Sequence, residues 1–119
     1  MLIVMKMINR IAVCSLLLIG LAVSTAQAHK INVFASVEKG EVIVESYFAD
    51  GRPVMESRVM VFDSNENQLL ETRTDREGMA RFPIPKVDRL EIVVREILGH
   101  RSSFMLEKAE VEAGLEAKD

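Results

Sequence analysis

Two histidines are the side chains best suited to chemistry in this sequence. His29 follows Ala26-Gln27-Ala28, and His100 stands in Gly99-His100-Arg101. Cleavage after Ala28 would give His29 a free α-amine (reference pKa ~7.7–8.0) beside its imidazole (~6.5). The amine nitrogen and ring Nδ1 of one residue close a chelate on a transition metal, and the ring of His100 would add a third nitrogen. Neutral imidazole suits nickel, cobalt, copper and zinc. A carboxylate from Glu45 or Asp50, or the Tyr47 hydroxyl, would complete the set. Each residue also has a plainer reading. His29 is then only the point of cleavage, His100 a capped or exposed loop histidine, and Glu45 and Tyr47 part of a solvated strand face.

Lys6 and Arg10 precede the apolar run Ile11–Val23, 13 residues long, and small residues stand at −3 and −1 before His29. A basic region, an apolar run and a small-residue site form a secretory signal pattern. The run is shorter than the ~20 residues that span a bilayer. Residues 1–28 are therefore expected to be a cleaved signal peptide, from a start at Met1, Met5 or Met7, and the remainder to be periplasmic or otherwise extracytoplasmic. Cys14, the single cysteine, goes with the signal. Val13 before it is not the small residue that a lipid-attachment site wants. The processed chain would then have neither a disulfide nor a thiolate ligand.

All 18 acidic residues follow Ala28, while two of the 15 basic ones precede it, so the processed chain would carry a formal charge of −5. That sign, with no basic run, argues against a nucleic-acid partner. No organic cofactor is expected, since no glycine-rich phosphate loop is present. Catalysis is not expected either. There is no HExxH-type helix, and adjacent residues on a strand point to opposite faces, so neither Ser102 nor Ser103 forms a convincing pair with His100. Met55, Met60, Met79 and Met105 fall on different segments and read as packing rather than as a thioether site.

The elements that must position these groups are strands. From Ile31 the pattern has period two, with Ile31, Val33, Ala35 and Val37 on one face. Glu38-Lys39-Gly40 is a hairpin turn and Glu41–Phe48 the returning strand. Further strands are predicted over 58–63, 68–74, 79–82, 90–95 and 102–106, with turns at Asp50-Gly51, Ser64–Asn67 and Asp75–Gly78. Pro83-Ile84-Pro85 should end the fifth. Seven short strands at this spacing indicate an all-β, seven-stranded antiparallel β-sandwich over 29–107. Its core is expected to be Val, Ile and Leu with Phe34, Phe48, Phe62, Phe82 and Phe104. Residues 108–119 form an acidic tail, expected as a frayed helix or a disordered segment.

From Arg58, the segments RVMVFDSNENQLLETRTDREGMARFPIP and RLEIVVREILGHRSSFML resemble the carboxypeptidase regulatory-like, transthyretin-like (Ig-like) sandwich. The front half narrows the resemblance. His29-Lys30-Ile31-Asn32-Val33-Phe34-Ala35, the run from Val44 through Tyr47 to Pro53, and Gly99-His100-Arg101 look like the extracytoplasmic accessory component of nickel and cobalt transporters of the energy-coupling-factor type. That resemblance implies a small secreted β domain working beside a membrane permease during nickel or cobalt uptake. Some such components carry a carboxy-terminal membrane helix. Here the corresponding segment is charged, so membrane association is expected only through the permease.

Two further readings rest on the same residues. An amino-terminal histidine also suits copper(II), which tops the divalent affinity order. Alternatively the chain is a non-catalytic, transthyretin-like binding module for a protein or a carbohydrate. That reading predicts an exposed aromatic patch including Phe34 or Tyr47.

Overall fold

The computed structural model describes residues 30–116. The signal-peptide reading of residues 1–28, and His29 itself, lie outside the described residues. Seven strands follow one another: β1 (Ile31–Glu38), β2 (Glu41–Phe48), β3 (Arg58–Phe62), β4 (Gln68–Arg73), β5 (Met79–Pro83), β6 (Leu90–Arg95) and β7 (Arg101–Leu106). One helix, α1 (Lys108–Glu116), comes after them. The strands form a three-stranded sheet in the order β1-β2-β5 and a four-stranded sheet in the order β4-β3-β6-β7, every pairing antiparallel. This is the small all-β sandwich expected from the strand spacing.

Local chemistry sets the first hairpin. Glu38 pairs with Glu41, and the two residues between them, Lys39 and Gly40, have φ of 50° and 80°. A two-residue loop with both φ positive matches the right-handed twist of its strands. Pro83 ends β5 opposite Glu41, one residue later than predicted. A proline is tolerated there because β5 is an edge strand, whose outer N–H groups have no ladder partner.

The chain crosses between sheets at Ala49–Ser57, and Thr74 fixes that crossing. Its Oγ1 donates to the Val54 carbonyl (2.7 Å) and accepts from the Ser57 N–H (2.9 Å). At the β3–β4 turn the Asp63 carboxylate accepts from the N–H groups of Asn65 and Asn67 and from Lys86 Nζ (2.8 Å).

Inward-facing Ile31, Val33, Val42, Val44, Val59, Val61, Leu90, Ile92 and Val94 form the core with Val54, Leu106 and Val111. Each such side chain, taken from water, contributes roughly 1.5–3 kcal/mol. The aromatic part of the expected core needs correction. Only Phe82 is buried; Phe48 and Phe104 are partly buried against the core. Phe34 is 49% exposed and Phe62 half-buried. Alternation explains this, because Val33 and Val61 take the inward positions and turn their neighbours outward.

Over its described residues the tail is the helix that was one of the two expectations, but docked rather than frayed. Residues 108–116 form α1, with Val111 fully buried and Gly114 buried. Its acidic composition and internal glycine argue against an isolated helix, so docking must stabilise it. Gly114 is what lets it dock, since a β-carbon there would collide with the Val37 side chain. The Gly114 carbonyl accepts from the Gly40 N–H (3.1 Å), tying the helix to the first hairpin turn. No helix among the described residues is long and apolar enough to cross a membrane.

Candidate functional site

The β6–β7 corner holds His100. The corner is a tight turn, with the Gly99 N–H donating to the Glu96 carbonyl and the Glu96 N–H to the His100 carbonyl (both 2.9 Å). Gly99 has φ 94°, a conformation that glycine adopts without steric cost. The Glu96 side chain folds back into the turn and is only 8% exposed. Its Oε1 accepts from the His100 backbone N–H (2.9 Å) and lies 2.7 Å from His100 Nδ1.

Burial pushes the Glu96 carboxyl up, but the donors outweigh it. The His100 backbone and ring and the Leu98 backbone hold it below its ordinary value. An ionised carboxylate only accepts, so Nδ1 is the ring's donor and the lone pair of a neutral ring resides on Nε2. A histidine whose Nδ1–H is held by a carboxylate is the usual arrangement behind a metal-ligating imidazole. The sequence reading missed Glu96. Its signal was a Glu four residues before the histidine, across a glycine turn at the end of an apolar strand.

The corner lies at the end of the sandwich where β1 begins. Ile31 pairs with Phe48, and Phe48 and Arg52 line one hollow with Glu96 and Ile97. The other expected ligands are placed elsewhere or engaged. Asp50 accepts from the Arg52 N–H (3.1 Å) and Nε (2.7 Å), and these bonds hold its carboxyl below the ordinary range. Glu45 is exposed on β2, opposite Phe34 and Met79. The Tyr47 ring stacks on Phe34, centroids 5.9 Å apart at 18°. Among the described residues no three His, Cys, Asp or Glu side chains are grouped as a metal ion requires.

Fold and corner together define a small all-β sandwich with one carboxylate-held histidine in a turn. The chain is similar to an uncharacterized protein of Haemophilus influenzae, 34% identical over 83 residues that cover 67% of this chain and 52% of the relative. It thus spans about half the length of the curated relative it matches. No family model and no solved structure matches the sequence.

Proposed function

We propose that this chain is an extracytoplasmic accessory component of nickel or cobalt uptake, working beside a membrane permease. In this reading the metal is cargo. The α-amine and ring of His29, once it is the first residue, chelate it, and His100 adds a nitrogen. The observation that supports the reading is the Glu96–His100 pair, which fixes the ring tautomer at the end of the sandwich where β1 begins. The transporter resemblance of the sequence points the same way.

Titration calorimetry with nickel, cobalt and copper chlorides tests the chelate. A chain starting at His29 should bind much more tightly than one with an added Met, because an amide nitrogen is a poor ligand until deprotonated. Binding should weaken as pH falls through the amine and imidazole range (~8 to ~6), where protons compete for the same lone pairs. Equal affinity with and without the extension overturns the chelate. Deletion of the gene should lower nickel or cobalt accumulation; a fall in copper alone would reassign the cargo.

A second reading, the binding module for a protein or carbohydrate, is favoured by one observation. Phe34 is exposed and stacked on Tyr47, and its ring lies 6.1 Å from that of Phe104 on β7. Exposed stacked rings are a common contact platform. This reading gains if the processed chain binds no metal and Phe34→Ala abolishes capture of a partner.

A further inference from the structure

The strand registers set four arginines in line. Arg73 of β4 pairs with Arg58 of β3, Arg58 with Arg95 of β6, and Arg95 with Arg101 of β7. Directly paired residues share a face, so the row crosses the whole four-stranded sheet, a span of about 14 Å at the usual strand spacing. All four are exposed. Like charges directly opposite one another destabilise a sheet. Among the described residues Arg58 alone of the four forms a close ion pair, with Glu71 at 2.7 Å, a carboxylate on which Arg73 also acts from farther away. Arg73 donates instead to the Glu56 carbonyl (3.0 Å). A chain with formal net charge −3 has thus gathered cations on one rim.

The same rim carries apolar side chains that face solvent. Ile97 is 97% exposed and Leu98 72%, side by side in the turn between Arg95 and Arg101. Ile97 lines one hollow with Arg58, Arg73 and Arg95, and a second with Met55, itself 56% exposed. The turn is held from beneath by Glu96, so the apolar pair projects from a fixed base.

The geometry points to a docking surface for an anionic phospholipid bilayer. Ile97 and Leu98 enter the headgroup–acyl boundary, and the arginine row lies along the phosphates. Two features favour a bilayer over an acidic protein. The guanidinium groups form a line across a sheet rather than a pocket, which suits a flat array of phosphates. The most exposed apolar residues stand at the tip of a turn, where insertion needs no complementary groove. The inference replaces the expectation that the chain meets the membrane only through a permease. It is independent of the metal reading, because neither the arginines nor Ile97 and Leu98 are assigned to the chelate.

Vesicle flotation tests it, using the chain from His29 onward, which contains every strand of both sheets. Phosphatidylcholine vesicles containing 30% phosphatidylglycerol (about a third anionic lipid, enough for a negative surface potential) are compared with pure phosphatidylcholine. The chain should float with the anionic vesicles only, and salt should weaken binding. Arg95→Gln with Arg101→Gln, and separately Ile97→Ser with Leu98→Ser, should each lower the bound fraction about tenfold without changing the circular dichroism spectrum. The chain has no tryptophan, so Leu98→Trp supplies a lone fluorophore whose emission should shift to the blue on anionic vesicles. Equal binding to both vesicle types, no binding to either, or an unshifted tryptophan overturns the proposal. So does binding that needs the arginines but not Ile97 and Leu98 and is matched by soluble polyglutamate, which would assign the rim to an acidic protein.

Discussion

Glu96 and His100 are joined twice, the carboxylate accepting from both the backbone N–H and the ring Nδ1–H of the histidine. The pair makes the corner and the tautomer one object. Glu96→Gln keeps the shape but removes the anion that dictates which nitrogen carries the proton. Nickel affinity of the chain starting at His29 should fall about 10- to 100-fold, the usual cost of losing such a partner. His100→Ala should weaken binding at least as much. Calorimetry measures both, and nitrogen-15 shifts of the ring should show the Nδ1–H form giving way in Glu96→Gln.

Asp63 gives the clearest pH signature. Lys86, then the backbone and side chain of Asn67 and the backbone of Asn65, hold its carboxyl far below the ordinary 3.8. A folded-state pKa below the unfolded one contributes stability that is complete above the unfolded value and is lost as pH falls toward the folded one. Asp63→Asn should therefore lower the urea midpoint at pH 7, with the gap to the parent narrowing below about pH 4. A constant gap across pH would show that the loss is steric.

Gly114 should tolerate almost nothing larger. Gly114→Val forces the helix off Val37 and should cost about 1–3 kcal/mol, the range for overpacking. Glu112→Ala, on an exposed position of the same helix, should change stability by less than about 0.5 kcal/mol. Faster hydrogen exchange at the Gly40 amide in Gly114→Val alone would tie the loss to undocking.

Two buried hydroxyls should behave in opposite ways. Ser46 Oγ is buried with no hydrogen-bond partner among the described residues, so Ser46→Ala should be neutral or stabilising in urea denaturation. Thr74→Val strands the Ser57 N–H and the Val54 carbonyl together and should cost about 1–3 kcal/mol.

The strands were legible because period two and turn chemistry are local. β2 and β6 run over the predicted residues, and Lys39-Gly40 turns as its glycine implies. Aromatic identity misled where alternation would have served, for Phe34 shares its side of β1 with Asn32 and Ser36. Docking of α1 was hidden because it depends on space left over Val37, about which nothing in Lys108–Glu116 informs. The candidate site was half legible. His100 stood out by type, but Glu96 looked like the end of a strand until the turn folded it back. The arginine row was invisible for a related reason: each member ends or begins a different strand, and only register aligns them.

The bond between Gly40 and Gly114 and the contact of β1 with β7 join the two extremes of the described chain. Closing such long loops sets the folding rate, because the entropy of closure comes before any contact offsets it. During synthesis the first hairpin is made well before β7 and α1, the elements that it packs against. Cooperative locking of both sheets is therefore postponed until β7 and α1 have been made.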